Sequence, residues 1–551
     1  MNLKNNIIKA SIALIVVLGV NYLGSKIYSR HDITEDSRYT LSEASKETVT
    51  TDEPIYVDVF LTGDMPSEFK RLQTETKQLL EEFTEVNDNI IISYVNPKDE
   101  NPDVNVLTSE MEKYGMPALR VDVKENGKTS QEVIFPWAVI NHNQKVAKVS
   151  LIKTNARNSI DRVNNSVQHL EYAFASAFKE VIAKKSKTIG LLIGNKQLES
   201  KYVYDFLNTL ERNYYIIPVA LDSADIKPVE TLKNLQKLDL LLSAKPQKSF
   251  SDNQKYALDQ YTINGGKSLW LLDAVHAEMD SISEKGQTLA LGRDLNLNDM
   301  FFQYGFRVNP VLVKDMYASD VMLLDNNNQP NRYPWFYNPV VIPQIKHAIV
   351  NNINPVKFEF ANTIDLVKQG INIKKTPLLQ TSDISATVGM PKIISINEIN
   401  NKPNAEAFTK KNLTLAALLE GNFTSTYKNR VKPFDYKDHK DENRASKMIV
   451  IADGDVIKNQ MDRGKPLPLG YDKWTQQNYG NKEFLLNAVN YLLDDTGLIS
   501  VRNKEVKIPF LDVERVTKER TKWQALNILL PLLLLVIFGI VYTYIRRRKY
   551  S

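Results

Sequence analysis

The residues best suited to chemistry stand just past short apolar runs. In LLDAVHAEMD, Asp273 and His276 follow one such run, and in IADGDVI, Asp453 and Asp455 follow another. An imidazole beside carboxylates moves protons or holds cations, and paired carboxylates share a proton or bind a cation. Ser243 closes the apolar run LDLLL and is a further candidate. Each has a plainer reading: His276 as a solvated loop histidine, the aspartates as turn and helix-capping residues. No base can be named for Ser243, so binding is expected rather than catalysis, and the chain is expected not to be an enzyme.

Other chemistry is excluded by residue type. The chain has no cysteine among 551 residues, which removes disulfides, thiolate zinc sites, a thiol nucleophile and a lipid-modified cysteine. The six histidines, His31, His142, His169, His276, His347 and His439, are too dispersed to form a local metal motif. No H-E-x-x-H, G-x-S-x-G or G-x-G-x-x-G occurs. The stretch NGGKS mimics part of a phosphate loop, but that loop needs a glycine five residues before the Gly-Lys pair, where Tyr261 stands. Gly265 and Gly266 are predicted to end a helix, and Ser268 to open a strand. No ATP site, metal or other cofactor is expected. With 70 basic against 65 acidic residues, a net charge of +5 gives no basis for nucleic-acid binding.

The elements that must position these residues read as α/β. From residue 186, the runs TIGLLIG, YYIIPVAL, LDLLLSA, SLWLLDA and, much later, SKMIVIADGDVI alternate with amphipathic helices, ending with EFLLNAVNYLLDDTG. Continuous apolar strands between helices predict a parallel sheet covered on both faces. Residues 294–447 loosen into Asn-, Pro- and Lys-rich insertions, read as loops. Upstream, residues 29–185 read βαβαββα. Helices carry Phe69, Leu72, Leu79, Leu80, Phe83 and Val86, then Ile160, Val163, Val167, Leu170, Phe174, Ala177 and Val181, and two strands flank a turn at Asn126-Gly127.

Two segments are apolar enough for lipid: residues 7–23 and residues 526–544. A bilayer core needs about 20 helical residues, so the second qualifies comfortably and the first narrowly. The first is read as an uncleaved anchor, since no A-x-A pattern follows it. Arg546, Arg547, Arg548 and Lys549 behind the second favour the cytoplasmic side. Both termini are then cytoplasmic, and a large body between the two segments lies extracytoplasmic. The expected layout is an anchor (1–28), an α/β module (29–185), a second α/β module (186–500), a membrane-proximal linker (501–523), a transmembrane helix (524–545) and a basic tail (546–551). The spacing T-x-x-E from Thr40 predicts a capping box that starts a helix close behind the first anchor.

Three resemblances add to this. YGMPALRVDVKENGK after the second helix resembles the thioredoxin fold, which implies a cis bond at Met116-Pro117; without a C-x-x-C pair such a module is redox-inactive. The second module resembles class I glutamine-amidotransferase-like domains of flavodoxin-like architecture, without their cysteine nucleophile. DITEDSRYTLSEASKETV, FKRLQTETKQLLEEF and LLPLLLLVIFGIVYTYIRRRKY resemble the GldG family, gliding-motility-associated ABC-transporter components of Bacteroidota. That resemblance implies a separate ATPase subunit, a separate multi-span permease, and a role in gliding motility or envelope export. The readings left open are an auxiliary, substrate-binding subunit of an ABC transporter, a membrane-anchored scaffold without transport, and an envelope hydrolase using Ser243, His276 or Asp453.

Overall fold

The computed structural model of the chain describes residues 3–26, 40–63, 65–100, 102–125, 128–153, 158–324, 329–400, 404–504 and 513–550. It forms two compact units, Met1–Lys504 and Glu505–Ser551. The second contains a long helix that continues through Pro531, and residues Lys518–Arg548 are long and apolar enough to cross a membrane. At the other end α1 (Leu3–Lys26) forms, but its apolar stretch among the described residues is Ser11–Tyr22, shorter than a span. Residues 27–39 behind α1 lie outside the described residues.

α2 (Glu43–Glu47) starts two residues later than the expected cap would place it. Ser42, not Thr40, is its N-cap, and the Ser42 Oγ accepts from the Ser45 backbone N–H. The four-stranded sheet that follows has the order β2-β1-β5-β6. β1 (Ile55–Val59) and β2 (Ile90–Tyr94) run parallel, joined by α3 (Ser67–Val86), whose Phe69, Leu72, Leu80 and Phe83 are buried. After α4 (Pro97–Glu100) and α5 (Val104–Lys113) the hairpin of β3 (Leu119–Glu125) and β4 (Lys128–Ile134) forms as expected, but as a separate two-stranded sheet. The main sheet is completed instead by β5 (Trp137–His142) and β6 (Lys145–Ser150), each antiparallel to its neighbour. Their turn, Asn143-Gln144, has positive φ at both residues, the geometry a two-residue hairpin needs. The Met116-Pro117 bond is not cis; the cis bond is Met390-Pro391.

α6 (Ser159–Ile182) closes this part. Its Val163, Val167, Leu170, Phe174, Ala177 and Val181 are buried, while Ile160 at the capped first turn is exposed. Val86 at the end of α3 is exposed too: apolar spacing marks a face, and helix ends run out beyond what covers it.

The second sheet has seven strands. In chain order β7 (Thr188–Ile193), β8 (Tyr215–Ala220), β9 (Leu240–Ala244), β10 (Lys267–Leu271) and the strand Ala445–Ile451 are mutually parallel, laid out second-first-third-fourth-fifth. Two further strands, Thr414–Asn422 and Ile373–Gln380, add antiparallel to the last, so the sheet is mixed and not purely parallel. Both come from residues 294–447, expected to be loops. That stretch is largely folded into short antiparallel strands, whose half-exposed faces carry the Lys, Asn and Pro that read as loop composition.

Helices cover both faces. Leu240, Leu242, Leu269, Leu271, Ile449 and Ile451 pack under α7 (Ser200–Leu210) and the helix Asn481–Leu493. Leu241, Trp270, Leu272, Met448 and Val450 pack under α8 (Pro228–Leu235) and α9 (Asp252–Ile263). Alternation by two along each strand supplies one core per face. The NGGKS turn is a helix end, as expected: Gly265 has φ +95°, the Gly266 N–H donates to the Tyr261 carbonyl, and β10 begins at Lys267. A Cβ on Gly266 would sit 2.5 Å from the buried Tyr261 ring.

Candidate functional site

The C-terminal ends of β9, β10 and Ala445–Ile451 lie side by side, because these strands are consecutive neighbours running the same way. Each apolar run ends in a charged residue, and the three ends meet. At the end of β9, Lys245 takes a left-handed backbone, φ +55°, which turns its side chain out of the strand's alternation into the junction. Its stem lies across Gly454, where a Cβ would be 2.3 Å from the Lys245 Cγ; only glycine admits the lysine there.

Lys245 is 1% exposed. Its ammonium is 2.6 Å from Asp455 Oδ2, 3.1 Å from Glu278 Oε2 and 3.5 Å from Asp273 Oδ2. Burial would depress its pKa, but those three carboxylates outweigh it and hold the lysine charged. Asp273 Oδ1 accepts from the Gly454 N–H at 2.6 Å, and Arg293 Nη1 stands 3.7 Å from its other oxygen. Burial raises the Asp273 carboxyl against the pull of Lys245. For Asp455 burial is overcome by Lys245 and Lys458, and its pKa is lowered. Asp453 is fully buried and caps the turn Gly454–Ile457. Its Oδ1 accepts from the Asp455 N–H and its Oδ2 from the Glu359 N–H; burial, then Asp455 and Asp273, push its pKa well up.

His276 sits at the rim, its side chain 51% exposed. Arg293 Nη2 is 2.9 Å from its Nδ1. A guanidinium only donates, so Nδ1 accepts and the ring is neutral, in line with a pKa lowered by burial and by Arg293.

Of the five residues singled out from sequence, Asp273, Asp453 and Asp455 converge, His276 joins through Arg293, and Ser243 does not take part. Ser243 projects to the opposite face from Ala244, where its Oγ is 3.4 Å from Gln197 Oε1. It is 1% exposed, with no imidazole among its hydrogen-bond partners. Lys245, Arg293 and Glu359 escaped the sequence reading. A lysine immediately after a wholly apolar strand was the available signal for the first; the others come from segments distant in sequence. Among the described residues no group of three or more His, Asp and Glu is placed to hold a metal ion.

Beside the cluster opens a cavity of about 720 Å3, within the usual range for small-molecule sites, about 300–1,000 Å3. Asp455, Glu359 and Lys458 form its inner wall, and α10 (Met279–Lys285), the strand Pro330–Val341 and the loop around Asp472 form the others. Glu359 is raised to about 7 by burial and by Asp455, against Lys357, Lys458 and Lys245. The arrangement can seat a polar small molecule at the strand ends, where open α/β sheets place ligands.

A second polar group closes the body on itself. Arg502, 5% exposed, donates to the carbonyls of Ala348 and Asn351 and to Glu483, and lies over the Tyr172 ring of α6. Lys153 pairs with the same Glu483. Lys504 Nζ binds the Thr40 carbonyl and Glu171 Oε2, each at 2.8 Å. Glu171 Oε1 accepts from the Ser42 N–H and the Ser45 Oγ.

Comparison with known proteins places this geometry. A family model described as an ABC-type uncharacterized transport system matches residues 186–488, and one described as a domain of unknown function (DUF7088) matches residues 35–141. No curated protein matches the chain. Among solved structures it is similar to one titled mmIFT52 N-terminal domain, at 15% identity over 56% of this chain and 97% of that one, with a TM-score of 0.32. That likeness is too low to bear on fold or function.

Proposed function

Because the chain belongs to the family of ABC-type uncharacterized transport systems, we propose that it is a non-catalytic auxiliary subunit of an ABC transporter, working with a separate ATPase and a separate multi-span permease. The family assignment carries this reading, since it covers the whole sheet whose strand ends build the cavity. The C-terminal helix ties the subunit to the bilayer, and α1 serves as a second anchor. Both termini are cytoplasmic in this reading and the body is periplasmic, where it meets cargo or a regulator in the cavity.

The four-stranded sheet, with its β2-β1-β5-β6 order and one antiparallel inner strand, supports a thioredoxin-like reading of the first part. The second-first-third-fourth-fifth layout of the parallel strands supports a flavodoxin-like, amidotransferase-like reading of the second. Neither module has the thiol its relatives use, so both act by binding. The gliding-motility or envelope-export role follows the resemblance to the GldG family.

The test is mild detergent extraction of the native complex and mass spectrometry of what remains attached to this chain. An ATPase and a permease in defined ratio are expected. A complex holding envelope proteins but no ATPase would replace this reading with the scaffold.

A further inference from the structure

The cavity wall carries buried acceptors that no hydrogen bond fills. Asn338, on the strand Pro330–Val341, is 2% exposed, lines the cavity and has no partner for its Oδ1. Asp455 Oδ1, also on the wall, is buried without a hydrogen bond. The Phe358 N–H donates to the Pro339 carbonyl and the Phe360 N–H to the Tyr337 carbonyl, so Asn338 stands directly across from Glu359. The Glu359 carboxylate has no hydrogen bond and no basic group within ion-pair distance among the described residues. A buried acceptor left unfilled costs about 1–3 kcal/mol.

Three lysines line the cavity, and Lys473 Nζ donates to the Met461 carbonyl at 2.7 Å. Lys357 is 2.8 Å from Asp472, and Lys458 lies between Asp455 and Asp280 at 3.8 and 3.7 Å. Carboxyls outnumber bases around the cavity, with Glu359 and Asp320 the surplus. A ligand that fills this wall must bring donors and positive charge. An alkylammonium brings three donors and the positive charge that the surplus carboxyls favour, with no acceptor of its own to satisfy.

We propose that the cavity binds an organic primary ammonium, with its N–H groups on Asn338 Oδ1 and the Glu359 carboxylate and its carbon body along the wall opposite. This rests on the reading of the chain as a binding subunit and names the ligand class for that site. Glu359 faces Asp455, Lys357, Lys458 and Lys245, and the ligand competes with a proton for it. Affinity therefore rises with pH through about 7, by about tenfold from pH 6 to pH 8.

The test is calorimetric titration of the detergent-solubilised full chain with putrescine and glucosamine, and with their uncharged counterparts 1,4-butanediol and glucose. Saturable binding of at least one ammonium probe is expected, stronger at pH 8 than at pH 6, with its uncharged counterpart at least about tenfold weaker. Glu359→Gln should weaken that probe about tenfold or more. Asn338→Leu should weaken it too while keeping or raising the melting temperature, because it removes an unfilled buried acceptor; a purely structural asparagine would lower it. Equal binding of charged and uncharged probes, no binding of either ammonium probe, or variants that bind like the parent would overturn the proposal. These results are independent of whether an ATPase copurifies, so the ligand class can fail while the transporter reading stands.

Discussion

A buried lysine ringed by three carboxylates is held by balance. Each ion loses hydration worth several kcal/mol, and only short, multiple contacts offset that. Lys245 achieves this with Asp273 and Asp455, each within four residues of a strand end, and with Glu278 just before α10. Glu359 lies just outside this balance, which gives the protein a stability that depends on pH. Its ordinary value is 4.5 and its folded value about 7. Between those values the folded chain holds a proton that the unfolded chain has released, so the stabilisation present below about 4.5 is lost as pH rises through about 7. Relative to Glu359→Gln, the melting temperature of the parent should fall across this window. An unchanged slope in the variant would show that Glu359 does not titrate there. Asp455 works in the opposite sense: its folded pKa is lowered, so its contribution is present above 3.8 and lost as pH falls below it.

At the scale of elements, long periodic segments declare themselves and short ones do not. α3, α6, α7, α9 and the five parallel strands stand where hydrophobic spacing places them, since each buries a face through local pattern alone. β5 and β6 were missed although WAVINH and KVAKVS alternate around Asn-Gln, because the neighbouring Asn-Gly hairpin carries the stronger turn signal. The junction between α9 and β10 illustrates how tightly such elements are joined. Tyr261 is 2% exposed and its hydroxyl donates to the Lys267 carbonyl, so the ring cannot give way to a methyl group on Gly266. Gly266→Ala should destabilise the body by about 1–3 kcal/mol, read from denaturant unfolding. A neutral outcome would mean that the turn re-forms without that contact.

At the scale of the whole molecule, the first and last residues of the body meet on α6. Thr40 and Ser42 are the first residues described after α1, Lys504 is the last residue of this unit, and Glu171 bonds to Ser42 and Lys504. Its pKa is lowered because Lys504 and Ser42 together outweigh burial. The two ends of the body are therefore fastened to one point, and a pull on either is shared by α6. Glu171→Ala leaves the Lys504 ammonium and the Ser42 and Ser45 donors without this acceptor. A loss of roughly 3 kcal/mol in unfolding free energy is expected, together with faster protease cutting near Thr40 and Lys504. If cutting rates match the parent, the fastening carries no load.

What the sequence determines by itself is whatever local pattern encodes: an α/β body, a strongly apolar C-terminal helix, strands ending in Asp273, Asp453 and Asp455, and the absence of any thiol. Tertiary structure alone decides that Lys245 pairs with Asp273 and Asp455, that Ser243 faces away from them, that Asn338 and Glu359 stand opposite each other on the cavity wall, and that residues 294–447 extend the sheet. The reason is separation along the chain. Periodicity reports on neighbours three or four residues apart, whereas Lys245 and Asp455 are brought together only because β9 and the strand Ala445–Ile451 flank β10 in one sheet.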